Sequence, residues 1–220
     1  MIITIDGPAG AGKSTVARTV AEELGFEFLD TGAMYRCVAL RATRDGVDWD
    51  DVESLATLAR GMKFELAGTR VWLDGEEVTH EIRTPEITSL VKHVADPPVV
   101  RHEVVGQQQE WGKAKDLVTE GRDQGTVVFP DAECKIFLTA SPEVRAKRRF
   151  EQLPSSERTN WQSVLEQQNE RDRRDEQREV GRLVAAGDAV ELCTDTLTQS
   201  EVVSQILELA RNRGAGAEAC

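Results

Sequence analysis

The sequence predicts an α/β protein: a P-loop three-layer fold with a five-stranded parallel sheet flanked by helices, plus a small antiparallel insertion. Three observations carry this expectation. A β-branched run, Ile2 to Ile5, leads at once into Gly7-Pro8-Ala9-Gly10-Ala11-Gly12-Lys13-Ser14. From Lys13 the apolar residues Val16, Ala17, Val20, Ala21 and Leu24 recur at helical spacing and stop at Gly25, and Phe26 to Leu29 then reads as a second strand. Strand, glycine loop, helix, strand is the opening of a βαβ unit. Further on, Lys63–Leu66, Thr69–Leu73 and Glu77–Val78 are short extended segments parted by Ala-Gly and Asp-Gly turn signals. They fit an antiparallel insertion better than another βα repeat.

The remaining elements follow in order. Met34 to Arg44 reads as a helix stopped by Gly46, and Val52 to Leu58 as another. Pro97-Pro98 precedes a helix from about Val99 to Trp111. Leu117–Thr119 and Lys135–Leu138 are short β-rich runs suited to buried strands. Pro142 opens a basic helix, and Trp161 to Val180 reads as a long polar one. Ala189–Cys193 is expected as the last strand, Gln199–Arg211 as a terminal amphipathic helix, and Gly214 to Cys220 as a frayed tail.

Bulk composition narrows the function. The 220 residues suffice for one domain with a sizeable core. A net charge of −12 argues against affinity for nucleic-acid polymers, which a basic surface must attract, though not against one nucleotide in a locally basic cleft. No apolar run is long enough to span a bilayer, and the first residues carry no leader pattern, so a cytoplasmic protein is expected. The four cysteines, Cys37, Cys134, Cys193 and Cys220, form no CxxC pair, and the three histidines form no metal pattern. From Glu143 to Arg178 the charge departs from that of the chain: nine Lys/Arg stand against eight acids. A salt-bridged helix face explains some of that.

Gly7 to Ser14 satisfies GxxxxGK[ST] in full. Glycines let such a loop wrap so that backbone N–H groups, at Gly10, Ala11, Gly12 and onward to Thr15, converge on phosphate oxygens beside a helix N-terminus. Lys13 is expected to reach the β- and γ-phosphates of ATP, and the Ser14 hydroxyl to ligate Mg²⁺. The motif alone names no acceptor.

Three further clusters bear on the acceptor. In Asp30-Thr31-Gly32-Ala33-Met34-Tyr35-Arg36, Asp30 and Thr31 read as a strand end and helix cap, while Arg36, one turn in, suits a bidentate grip on a phosphate. Glu120-Gly121-Arg122-Asp123-Gln124-Gly125 follows a core strand, where ligands of open α/β sheets sit. Arg122 and Asp123 are either an internal ion pair or ligand contacts. Arg171, Asp175 and Arg178 fall at i, i+4 and i+7 of one predicted helix face. Arg145, Arg148 and Arg149 rise from a separate helix, where arginines can stabilise charge on transferring phosphates.

Taken together, IDGPAGAGKST, FLDTGAMYR, LDGEEVTHEIRT, EGRDQGTVVFPDAECKIFLTAS and RDRRDEQR resemble, in order and spacing over nearly the whole chain, the bacterial cytidylate kinases, a branch of the P-loop nucleoside monophosphate kinases. The resemblance implies transfer of the γ-phosphoryl group of ATP to CMP or dCMP with Mg²⁺. It implies phosphate-gripping arginines at Arg36, Arg122 and Arg178, ribose contacts at Arg171 and Asp175, cytosine readers at Arg101 and Asp123, a substrate contact at Thr31 and a lid arginine at Arg148. Lys13, Arg122, Arg148 and Arg178 then form the catalytic set. It divides one domain into a core (about 1–33, 100–145 and 180–213), an acceptor-binding subdomain with the insertion (about 34–99) and a lid (about 146–160). A monomer without membrane or nucleic-acid partners is expected.

Three positions depart from the family pattern. Lys92 stands where the family has a base-contacting serine, and an ammonium cannot accept a hydrogen bond. Gln109 replaces an arginine, and Arg182 a proline. A kinase with a broadened or different small acceptor, UMP or another metabolite, is the alternative reading, and a non-catalytic nucleotide sensor a third.

Overall fold

The computed structural model describes residues 1–153 and 160–215. Of the expected lid, residues 154–159 lie outside the described residues, as does the tail beyond 215. Two compact units are present: Met1–Phe28 with Ala114–Cys220, and Leu29–Lys113.

In the first unit, strand β1 (Ile2–Asp6) enters helix α1 (Lys13–Leu24) through the glycine loop, and Gly25 closes that helix in a left-handed conformation. Strand β2 (Glu27–Asp30) follows at the junction of the units. The unit resumes at β6 (Leu117–Gly121), a π-type turn over Gln124–Val128, β7 (Cys134–Thr139), α7 (Pro142–Gln152), α8 (Trp161–Gln177), β8 (Val190–Cys193) and α9 (Gln199–Arg211). The five-stranded sheet has the order β2-β6-β1-β7-β8. Parallel pairing sets Asp6 beside Gly121 and Phe137, and Thr139 beside Cys193. The carboxyl ends of β1, β6, β7 and β8 therefore share one edge. Ile3, Ile5, Ile136 and Leu138 alternate onto one face and pack with Val16 and Val20 of α1 and Val202 and Ile206 of α9. Period-two strands meeting 3.6-period helices make this core.

In the second unit, α2 (Thr31–Asp45) packs on α3 (Val52–Gly61), α4 (Pro85–Leu90) and α5 (Lys92–Ala95), and α3 packs on α6 (Pro98–Trp111). Strands β3 (Phe64–Ala67), β4 (Arg70–Leu73) and β5 (Glu76–Glu77) pair antiparallel, as the turn signals predict. Arg44 joins this hairpin region to its own helix, donating to Glu76 at 2.7 Å and to Glu81 at 2.6 Å.

Three helix boundaries differ from the sequence reading by three residues, and α3 is one of them, running on to Gly61 past Leu58. Helix α2 begins three residues before Met34, because the Asp30 carboxylate accepts from the Ala33 N–H at 2.8 Å and caps the helix there. Helix α8 stops at Gln177 instead of reaching Val180. Arg178 is already extended (φ −52°, ψ 144°), Gly181 takes a left-handed φ of 71°, and the reversed chain lets the Leu183 N–H donate to the Asp175 carbonyl at 2.9 Å. Arg178 thus caps the helix and is not on its face. No helix among the described residues is long and apolar enough to cross a membrane.

Candidate active site

The donor side is built at the carboxyl end of β1. Gly7 has φ 145°, and a Cβ there would lie 2.0 Å from the Leu138 carbonyl oxygen. Only glycine lets the loop leave the sheet at this point. Gly12 precedes Lys13, so the N–H groups of Lys13, Ser14 and Thr15 are those that the start of a helix leaves without intrahelical partners. Lys13 is 5 % exposed, and its ammonium donates to the Pro8 carbonyl at 2.8 Å, folded back along its own loop. Burial first, and the nearby Arg122 guanidinium second, push Lys13 down to about 7, against the pull of Glu120 and Asp6.

A phosphate reverses that balance, since it faces the ammonium with opposite charge. At about pH 8 ATP binding should take up close to one proton, and at about pH 6, where the amine is already charged, far less. Calorimetry in buffers of different ionisation enthalpy checks this, with Lys13→Ala separating the uptake from any contribution of Asp6.

Ser14 donates to the Glu120 carboxylate at 2.8 Å. Two hard oxygen donors so placed suit Mg²⁺. Among the described residues no cluster of three or more His, Cys, Asp or Glu forms a metal cage, so a magnesium ion would share its remaining ligands with nucleotide phosphates and water. Asp6, the last residue of β1, accepts from the Gln124 N–H at 2.9 Å and the Gly125 N–H at 2.7 Å. It thereby fastens the turn that carries Arg122 and Asp123. Burial pushes the Asp6 carboxyl up to about 7 despite those two donors.

The residues of the first unit expected on the acceptor side cluster at the end of β6 and the last turn of α8. Arg122 donates through Nε to Asp175 at 2.8 Å and through a terminal nitrogen to the Gly121 carbonyl at 3.1 Å. Arg178 pairs with the other oxygen of the same carboxylate. Although burial alone would raise it, Asp175 is held below the usual carboxylate range by Arg122, Arg178 and Arg171. Asp123 is buried beside this group. The structure thus gathers Lys13, Arg122, Asp123, Arg171, Asp175 and Arg178 into one unit. It pairs Arg122 with a carboxylate 53 positions away, and not with its neighbour Asp123.

In the second unit, Thr31 is the buried first residue of α2. The Arg36 guanidinium rests on Asp30 at 3.2 Å, and Arg83 approaches the same carboxylate at 3.5 Å. Arg101, 2 % exposed, donates to the Ala95 carbonyl at 3.0 Å and lies over the Tyr35 ring with 5.5 Å to its centroid. Lys92 is exposed on α5 and Gln109 on α6. Arg182 is exposed and donates to the Arg178 carbonyl at 2.8 Å.

The basic helix α7 behaves differently from the sequence expectation for Arg145. That residue is buried, donating to the Ala140 and Ala9 carbonyls, both at 2.9 Å, and pairing with Asp172. Arg148 donates to the hydroxyl of Thr194 at 2.9 Å and to its carbonyl at 2.7 Å, at the carboxyl end of β8. The sequence reading passed over Asp6, Glu120, Gln168 and Asp172. For Asp6 and Glu120 a signal was present, since both are acids at the carboxyl ends of predicted strands. For Gln168 and Asp172 there was none. Burial pushes the Cys37 thiol up to about 12 and so keeps it in the thiol form.

A P-loop at the carboxyl edge of a parallel sheet, with an arginine–carboxylate cluster beside it, defines a protein of the P-loop nucleotide-binding class. The family profile described as cytidylate kinase matches residues 3–212. A cytidylate kinase of Rhodopirellula baltica is 53% identical over 96% of this chain and 93% of its own length. A bifunctional pantoate ligase/cytidylate kinase of Trichormus variabilis is 49% identical over 96% of this chain, which spans only 41% of that longer protein. The crystal structure of an uncharacterized protein from Eubacterium ventriosum shares the fold, with a TM-score of 0.53, 12% identity, and coverage of 96% of this chain and 98% of its own. The chain belongs to the cytidylate kinase family.

Proposed function

We propose that this protein transfers the γ-phosphoryl group of ATP to CMP or dCMP, giving ADP and CDP or dCDP. The observation that carries the reading is the buried Arg122–Asp175–Arg178 cluster beside Lys13 in the same unit. It supplies positive charge for an acceptor phosphate next to a loop that cradles the donor's. Family membership supports the pyrimidine acceptor.

The N–H groups from Gly10 to Thr15, with Lys13, hold the donor phosphates. Arg36, Arg122 and Arg178 grip the acceptor phosphate. Arg171 and Asp175 contact the ribose, the carboxylate accepting from sugar hydroxyls, while Arg101, Asp123 and Thr31 read the base. Ser14 holds Mg²⁺, which when bound neutralises charge on the phosphate oxygens. Arg148 belongs to the donor side. Phosphoryl transfer asks mainly for alignment and charge neutralisation, so no general base is assigned. A cytoplasmic monomer is the working state.

Purified protein with ATP, Mg²⁺ and CMP should produce CDP and ADP; absence of CDP would sink the proposal. One observation favours a second reading of acceptor breadth: Lys92 is an exposed ammonium at a base-contacting position of the family pattern. A panel of CMP, dCMP, UMP and AMP decides. Turnover of CMP more than about tenfold above UMP, equivalent to about 1.4 kcal/mol of discrimination, means that Lys92 leaves base choice intact, and equal turnover means that it does not.

A further inference from the structure

The crown of the P-loop is held from outside. The Ala9 N–H donates to the Asp172 carboxylate at 3.2 Å, and the Ala9 carbonyl accepts from Arg145 at 2.9 Å and from Gln168 at 2.8 Å. Both backbone polar groups of this residue are therefore turned to α7 and α8, away from donor duty toward phosphate. Asp172 and Arg145 also pair with each other, with side chains 9% and 6% exposed. The fit is close: a Cβ on Gly10 would lie 2.3 Å from the Gln168 amide nitrogen and 3.1 Å from the Arg145 Cβ.

Gln168 and Asp172 are one helical turn apart, and Arg171 and Asp175 form the neighbouring row of the same helix. Asp175 is the residue that holds Arg122 and Arg178. One helix thus grips the crown of the donor loop with one row and organises the acceptor cluster with the next. A loop rich in glycine has many conformations, and only some point its N–H groups at one phosphate. Restricting them before ATP arrives lowers the ordering cost of binding.

We propose that Asp172, supported by Arg145 and Gln168, is a positioning residue for the reaction: it fixes the crown of the P-loop on α8, so that the donor cradle is preformed and registered to the acceptor cluster. This rests on the kinase reading above. The effect is specific. Losing the clasp loosens the donor loop while leaving Arg122, Asp175 and Arg178 in place.

Steady-state kinetics with ATP and CMP varied separately test the proposal. Wild-type turnover first establishes the kinase reading on its own. Asp172→Ala should then raise KM for ATP about tenfold, the loss expected of one charge-assisted hydrogen bond. KM for CMP at saturating ATP should stay within about twofold, inside the scatter of a fraction of 1 kcal/mol. Asp172→Asn, which keeps an oxygen for the Ala9 N–H, should recover part of the ATP affinity. Gln168→Ala removes one of two donors to the Ala9 carbonyl and leaves the ion pair, so it should show a smaller rise, about threefold, with unchanged Tm. Should Asp172→Ala fail to fold, Gln168→Ala decides alone. An unchanged KM for ATP in the folded variants, or equal rises for ATP and CMP, overturns the proposal even with an active wild type.

Discussion

Lys13→Ala is expected to lower CDP formation on the order of a thousandfold, the loss typical of removing one preorganised charge that faces the transferring phosphate. The fold should survive. The ammonium is buried, its pKa is already pushed down by that burial, and it donates to the Pro8 carbonyl of its own loop. Alanine removes a costly buried cation while Val16, Ala17 and Val20 keep α1 in the core. A coupled ADP assay together with a thermal melt checks both halves. Turnover within about tenfold of wild type, a loss no larger than about 1.4 kcal/mol, would mean that the donor phosphates do not sit on this loop.

Asp175→Ala should have the largest effect on the acceptor. The Asp175 side chain is 5% exposed, and its carboxylate is shared by Arg122 and Arg178. Without it, two guanidinium groups lose their partner in a buried place and turn away from the acceptor phosphate. KM for CMP should rise roughly a hundredfold and stability should fall by about 3 kcal/mol, which for a chain of this size is about 6–12 °C in Tm. Because its neighbours hold Asp175 below the usual range, its stabilisation is present above the ordinary carboxylate pKa and is lost as pH falls through the lowered value. The variant should therefore unfold less steeply with acid than the wild type. Isothermal titration with CMP and melts from about pH 7 down to about pH 3, below the ordinary carboxylate value, measure these effects. A variant with wild-type CMP affinity would show that the cluster is structural only.

Much of the fold is legible along the chain because its signals are local. Lys13 to Leu24 declares a helix by spacing and Gly25 ends it, and the hairpin at 63–78 is written in its turn residues. Two of the misplaced helix ends have causes that the spacing of apolar residues does not show. Asp30 moves the start of α2 by capping it, and Gly181 with Leu183 pulls the chain away after Gln177. The site divides similarly. Its loops are contiguous motifs, whereas its pairings join residues far apart: Ser14 to Glu120, Asp6 to the turn at Gln124, and Arg122 to Asp175.

By itself the sequence determined the α/β class and the glycine loop that opens its first helix, since backbone conformation and hydrogen-bonding chemistry there belong to residues adjacent in the chain. Only the tertiary structure decided what each charge does. Arg145 and Arg148 lie three residues apart on one basic helix, yet the first is buried against Ala9 and Asp172 while the second holds Thr194. Asp172 and Asp175 are likewise a turn apart, one accepting from the Ala9 N–H of the P-loop and the other pairing with Arg122 and Arg178. Side-chain type fixes what bonds a group can make. Which partner it meets depends on the packing of α7 and α8 against the P-loop, and that is set by contacts more than a hundred residues apart.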